Sequence, residues 1–246
     1  MKRILIIGAN SAIAVACARL WAGRNCEFFL VARNASKLDQ TAADLRARGA
    51  RSVTVHAMDA TAYAAHSAMF GHAVGALKQI DVALISYGNL PVQKASEQNT
   101  ALALKEFETN CTSVIALMNV VALQLEHQRA GTLAVLSSVA GDRGRASNYL
   151  YGAAKAAVST ACEGLRARMY KAGVHVVTIK PGFVDTPMTQ GLALPAALLA
   201  QPDQVAKQIV RAIERKTNTL YTPRFWQLIM FIIRNIPQAL FKRLEL

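Results

Sequence analysis

Cysteine is scarce in this chain and never paired. Cys17, Cys26, Cys111 and Cys162 are scattered through apolar segments without a C-x-x-C spacing. That leaves no disulfide or zinc framework and fits small core residues of a reduced, intracellular protein. Acidic residues are also few, 15 Asp and Glu against 28 Lys and Arg, for a formal net charge of +13. Such a surface attracts nucleic acid, anionic lipid or an anionic ligand alike. The chain lacks an aromatic-interleaved basic stripe and any zinc-finger spacing, so nucleic acid is not an expected partner. Long apolar runs are missing as well: after Met1-Lys2-Arg3, the run Ile4-Leu5-Ile6-Ile7 stops at Gly8. That is too short for a signal peptide and reads as a first strand. Internal repeats and low-complexity linkers are absent. With 246 residues, 53% of them hydrophobic, the chain can bury a sizeable core. A single domain over residues 1–246 is expected, with 224–246 as a hydrophobic, basic tail.

What is present is an alternation of short β-branched or aromatic runs with longer alanine-rich segments. The runs are Arg3–Ile7, Cys26–Ala32, Ser52–His56, Asp81–Ser86, Thr132–Ser137 and Val174–Ile179. This is a βαβ rhythm. The runs show no polar alternation, as expected where helices cover both faces of a parallel sheet. The expected fold is α/β, a Rossmann-type doubly wound parallel sheet of about seven strands with helices on both faces.

The first strand runs into Gly8-Ala9-Asn10-Ser11-Ala12-Ile13-Ala14 and then a helix. Gly8 would make the tight turn, and the amides around Asn10, Ser11, Ala12 and Ile13 would face a dinucleotide pyrophosphate at the helix N-terminus. An ordinary strand-to-helix turn is the competing reading, because Ala12 and Ala14 stand where glycines are usual. Alanine keeps the backbone close to phosphate only if φ is negative there. After the second strand comes Arg33, where an NAD enzyme offers a carboxylate to the ribose. A guanidinium there suits an adenosine 2′-phosphate and hence NADP(H), unless it is simply a solvated arginine. Asp59, followed by Ala60, either receives the adenine amino group or caps a helix.

Tyr151 and Lys155 stand at i and i+4 in an alanine-rich helical segment, so phenol and ammonium share a face. A buried ammonium nearby would lower the tyrosine pKa and make Tyr151 a general acid near neutral pH, with Lys155 also reaching a ribose. Ser138 closes the fifth strand at the carboxyl edge of the sheet, where ligands bind in such folds. It either orients a carbonyl or caps a local turn.

Together these residues resemble the short-chain dehydrogenase/reductase family over about residues 3 to 222. The resemblance implies Tyr151 as catalytic acid/base, Lys155 as its activator and ribose ligand, Ser138 as carbonyl orienter, and Asn110 as the helix residue holding a proton-relay water. Pro181-Gly182-Phe183-Val184-Asp185-Thr186 is similar to the family's P-G-x-V-x-T segment. It implies cofactor contacts from Pro181, Gly182, Val184 and Thr186, the last two at the nicotinamide carboxamide. The family's N-N-A-G is replaced by Ile85-Ser86-Tyr87-Gly88. Ser86 and Gly88 keep small groups beside the cofactor, whereas Tyr87 either reshapes that wall or turns into the helix layer. The implied activity is NADPH-dependent reduction of a ketone to a secondary alcohol. A non-catalytic NADP-binding sensor or scaffold is the alternative, against which the intact set of four stands.

Residues 187–199, almost without charge, are expected to form a lid, either over an apolar substrate portion or as a helix packed on the domain. Arg143 and Arg145 would meet an anionic substrate group or only water. The tail Phe225–Pro237, followed by Phe241-Lys242-Arg243-Leu244, is shorter than the ~20 apolar residues that span a bilayer. As an amphipathic helix it suits either an interfacial anchor at an anionic cytoplasmic leaflet or a subunit interface of a homo-oligomer. This tail, the altered glycine loop and Tyr87-Gly88 resemble a bacterial branch of the family, that of decaprenylphosphoryl-2-keto-pentose reductase. That resemblance implies a lipid-linked keto-sugar as substrate. It also implies a cytoplasmic protein, peripheral at the inner membrane face.

Overall fold

The computed structural model describes residues 1–244. The chain enters as β1 (Arg3–Ile7), α1 (Ala12–Ala22), β2 (Glu27–Ala32), α2 (Ala35–Ala47), β3 (Ser52–Ala57), α3 (His66–Leu77) and β4 (Val82–Ile85). It continues through α4 (Gln93–Gln98), α5 (Thr100–Phe107), α6 (Ser113–Gln128), β5 (Thr132–Leu136), α7 (Tyr149–Tyr170) and β6 (His175–Pro181). It ends with α8 (Pro202–Glu214), β7 (Thr219–Thr222), α9 (Phe225–Asn235) and α10 (Gln238–Phe241). The seven strands form one sheet in the order β3-β2-β1-β4-β5-β6-β7, every neighbouring pair parallel.

Why the strands lack polar alternation is visible in β1. Ile4 and Ile6 point into the core shared with α1, α2 and α8, through residues such as Trp21, Leu45 and Ile209. Leu5 and Ile7 point to the opposite core with α3, α6 and α7, among Met69, Leu117 and Val158. A strand with two dry faces has no polar side to show. The four cysteines are free and buried, as expected of small core residues.

Strand order reverses between β1 and β4, and a crevice opens there at the carboxyl ends of the strands. Gly8, Arg33, Ser86, Ser138 and Gly182 all lie just beyond the ends of their strands, on this one edge.

The lid segment holds no α-helix, which removes the packed-helix reading. It is an extended turn region with one 3-10 turn, Ala196–Leu198, and leaves Met188 and Leu192 exposed. The tail is helical, but it is not a free anchor. Trp226 and Met230 are buried among Val139, Phe183, Leu198 and Tyr221, and Phe241 is buried under the Arg143 guanidinium. The apolar face of α9, interrupted only by Gln227, Arg234 and Asn235, is wider than one packing stripe, so sequence could not show which part of it faces inward. Among the described residues, no helix is long and apolar enough to cross a membrane.

Candidate active site

The loop after β1 turns at Gly8, whose φ of +90° is open to glycine. A Cβ there would also meet Ser86 O at 2.6 Å, so the two strand ends approach to backbone contact. Ser11 caps α1, its Oγ accepting from Ala14 N at 3.1 Å and pairing with Ser86 Oγ at 2.9 Å. Among the described residues no protein hydrogen bond takes the amides of Ala12 and Ile13, and Asn10 Oδ1 is buried without a partner. These are donors and an acceptor set for a ligand at a helix N-terminus. Neither Ala12 nor Ala14 has positive φ. The replacement of glycine by alanine therefore carries no backbone strain.

Two contiguous clefts run along this edge. The first, about 400 Å³, reaches from Gly8, Asn10 and Ser11 outward to Arg33, Asp59 and Ala60. The second, about 250 Å³, continues from Asn10 to Ile13 past Ser86 and Gly88 to Ser138, Tyr151 and Lys155. It closes over Pro181, Gly182, Val184 and Thr186. At the outer end Arg33 is largely exposed and lies 4.0 Å from Asp59, whose carboxylate accepts from Thr61 N and Oγ1, both at 2.9 Å. These bonds hold the Asp59 carboxyl below the usual range. Asp59 therefore closes a local turn and lines the cleft at once. Tyr87 turns its hydroxyl into the helix layer, 2.9 Å from Ser113 Oγ, where burial pushes the phenol up.

At the inner end, Tyr151 sits in the first turn of α7, with Ser138 lining the same cleft. Ser138 Oγ also accepts from Ala140 N at 3.1 Å, so it caps its own turn while facing the phenol. Lys155, one turn along and buried, donates to Leu136 O at 3.3 Å and stands 5.7 Å from the Tyr151 ring centroid. Gly141 lets this loop lie on α7, since a Cβ there would be 2.7 Å from the Lys155 carbonyl carbon. The expected lowering of the Tyr151 pKa does not occur: burial pushes it up to about 12, offset in part by Ser138. Burial likewise brings Lys155 down to about 8. Low polarity disfavours both charged forms, and at this separation the ammonium does not reverse the effect.

Asn110 lies not in an α-helix but in a π turn, Glu108–Thr112, of a kind frequent at functional sites. It is buried behind Gly88, where a Cβ would meet Asn110 Oδ1 at 2.6 Å. Asn89, which sequence reasoning missed, grips it twice. Asn89 N donates to Asn110 Oδ1 at 3.0 Å, and Asn110 Nδ2 donates to Asn89 Oδ1 at 2.6 Å. Asn89 also bonds Glu106.

Both readings of Arg143 fail. Its guanidinium donates to the carbonyls of Ile233, Arg234 and Ile236 at 2.5, 3.1 and 2.7 Å and lies 3.7 Å from the Phe241 ring centroid. It clamps the tail. Arg145 lines neither cleft, and its Nε is buried without a partner. Beside Arg143, Asp142 forms a buried ion pair with Lys180 at 2.6 Å and accepts from Tyr221 at 2.7 Å. These three residues carried no signal in the sequence, being brought together only by the sheet. Among the described residues no cluster suited to a metal ion occurs.

The model of the short chain dehydrogenase family matches residues 2–195. A Streptomyces coelicolor protein named an uncharacterized oxidoreductase is 34% identical over 99% of this chain and 96% of its own. A Mycobacterium tuberculosis protein of the same description is 32% identical over 98% of this chain and 96% of its own. In fold, the chain is similar to an actinorhodin polyketide ketoreductase solved with NADPH. The TM-score is 0.81 at 22% identity, covering 90% of this chain and 95% of that one. With its family model matched over most of the length and a relative 34% identical end to end, the chain belongs to the short-chain dehydrogenase/reductase family of oxidoreductases.

Proposed function

We propose that the protein reduces a ketone to a secondary alcohol with NADPH, and that the ketone belongs to a keto-sugar carried on a lipid. The observation that carries the reading is the grouping of Tyr151, Ser138 and Lys155 at the inner end of a cleft whose outer end is Arg33. NADPH, when bound, supplies the hydride to the carbonyl carbon. Gly8, Asn10, Ser11, Ala12 and Ile13 would hold its pyrophosphate, Arg33 its 2′-phosphate, and Asp59 and Ala60 its adenine. Ser86, Gly88, Pro181, Gly182, Val184 and Thr186 would flank its nicotinamide half.

The chain's own chemistry is proton delivery. Ser138 donates a hydrogen bond to the carbonyl oxygen and stabilises the charge that develops there. Tyr151, protonated through the neutral range because burial raises its pKa, gives its proton to that oxygen. Lys155 holds positive charge behind the phenol as the proton leaves, and Asn110, fixed by Asn89, supports the route by which it is replaced.

The lipid-linked substrate is supported by the apolar lid residues Met188 and Leu192 and by the apolar tail beside the cleft. The test is parallel fluorescence titration with NADPH and NADH, followed by turnover on soluble ketones and on a keto-sugar with and without a polyprenyl phosphate. Tighter NADPH binding with carbonyl-dependent oxidation is expected. Binding without turnover on any of these carbonyls would sink the reading.

A further inference from the structure

α9 uses only half of its apolar surface. Trp226 and Met230 are 3% and 1% exposed, packed with Ile229 and Ile233 against Val139, Phe183 and Leu198. On the opposite side Phe225, Leu228, Phe231 and Ile232 are 43%, 65%, 66% and 56% exposed. At 3.6 residues per turn, positions 225, 228 and 232 make one stripe with 231 at its edge. Leu240 of α10 and Leu244 after it add to the exposed apolar surface. A helix apolar on both sides is expected to be covered on both. Among the described residues nothing covers this one.

Charge says what does. From 223 to 246 four charged residues are basic, Arg224, Arg234, Lys242 and Arg243, against one acid, Glu245. Arg224 stands at one end of the stripe and Lys242 and Arg243 at the other. A second copy placed on this face by a two-fold axis would bring the same cations against each other. A surface with acidic headgroups above an apolar interior matches both features.

We infer that this face docks on an anionic lipid bilayer, α9 lying flat with Phe225, Leu228, Phe231 and Ile232 among the acyl chains and Arg224, Lys242 and Arg243 at the headgroups. Eleven residues of helix span about 16 Å against a hydrocarbon core of about 30 Å, so the helix lies on the membrane and does not cross it. The docked face is tied to the active site. Trp226 sits on Gly182, Met230 packs with Val139 next to Ser138, and Leu198 brings the lid into the same cluster. Docking therefore sets the lid end of the cleft beside the bilayer. Its use in collecting a lipid-linked ketone rests on the function proposed above, whereas the docking itself does not.

The test is co-sedimentation of the full-length protein with vesicles of phosphatidylcholine alone and of phosphatidylcholine mixed with phosphatidylglycerol. Each sample is also assayed for turnover on a soluble ketone. The expected result is binding to the acidic vesicles that weakens with salt, and little to the neutral ones. The double variant Phe231→Ser/Ile232→Ser should lose about a hundredfold in partition, and Lys242→Gln/Arg243→Gln about tenfold, both with soluble turnover retained. NADPH titration checks that each variant is folded. Wild-type protein that stays in solution, or a double variant that still sediments, overturns the inference. So does a wild-type dimer that Phe231→Ser/Ile232→Ser dissociates, since a second copy would then own the face. Wild-type protein that turns over a soluble ketone but binds no vesicle sinks docking alone; wild-type protein that binds vesicles without turnover on any ketone sinks only the reductase reading.

Discussion

The indole of Trp226 fills the space that a side chain at Gly182 would need: a Cβ built on Gly182 would lie 1.9 Å from Trp226 Nε1. Gly182 also lines the inner cleft, so its two sides serve the tail and the site. Gly182→Ala must push the helix outward or the loop into the cleft, at a cost of about 1–3 kcal/mol. Trp226→Ala empties a buried aromatic site and should cost about 3–5 kcal/mol. Because the second change removes the clash created by the first, the double variant should be no less stable than Trp226→Ala alone. Urea unfolding of the four proteins measures this. Strictly additive losses would mean that the two residues do not press on one another.

The Asp142–Lys180 pair makes a second test of the same region. Lys180 is 8% and Asp142 2% exposed at the side chain, and Tyr221 supplies a further hydrogen bond to the carboxylate. Asp142→Asn strands an ammonium in a dry place and should cost about 3–5 kcal/mol. Adding Lys180→Met removes the stranded charge and should return a large part of that. Thermal and urea midpoints read the recovery. A double variant as unstable as Asp142→Asn would show that the loop's packing, and not its charge, is what Asp142 supports.

How far the sequence carried can be judged from these same residues. Six strands were legible as apolar runs because strands with two dry faces need no polar alternation, as Ile4 and Leu5 illustrate by facing different cores. β7 was not located: Thr-Leu-Tyr-Thr is four residues with no apolar run. Tyr151, Lys155, Ser138 and the glycine loop were legible because their spacing is local. Asp142, Lys180 and Tyr221 were not, since their meeting depends on three separated elements. Arg143 was misjudged for the same reason: its partners lie 90 or more residues away. In α9 an apolar face wider than one packing stripe concealed which part of it was spoken for.

Cofactor choice rests on Arg33. Its guanidinium is 77% exposed and its one ion-pair partner among the described residues, the Asp59 carboxylate, is 4.0 Å away, so it is available to a phosphate. Hydrogen bonds to charged groups contribute about 1.5–3 kcal/mol each, so Arg33→Ala should weaken NADPH binding by about 10- to 100-fold and leave NADH nearly unchanged. Arg33→Asp should reverse the preference, because a carboxylate repels the 2′-phosphate and accepts from a ribose hydroxyl. Parallel titrations with both nucleotides decide. Equal weakening of the two would place Arg33 elsewhere than at the 2′-phosphate.

Of the two perturbed groups at the inner cleft, Lys155 sets the alkaline limb of the pH profile. Tyr151, raised to about 12, stays protonated and able to donate across the neutral range, while Lys155, lowered to about 8, loses its charge as pH rises through that value. The profile of kcat/KM for NADPH, which reports the free enzyme, should therefore fall above pH about 8. Tyr151→Phe should lower turnover by about 10²- to 10⁴-fold with NADPH binding retained. Lys155→Met should abolish the alkaline limb. Stability moves the other way. Between about 8 and the ordinary lysine value of 10.5 the unfolded chain binds the Lys155 proton more tightly, so folding is favoured as pH rises there. Above 10 the sign reverses, because folded Tyr151 keeps its proton up to about 12 while the unfolded phenol releases it. Urea midpoints of wild type and Lys155→Met at pH 7 and pH 10 test the first half. If the variant shows the same rise as the wild type, the gain does not come from Lys155.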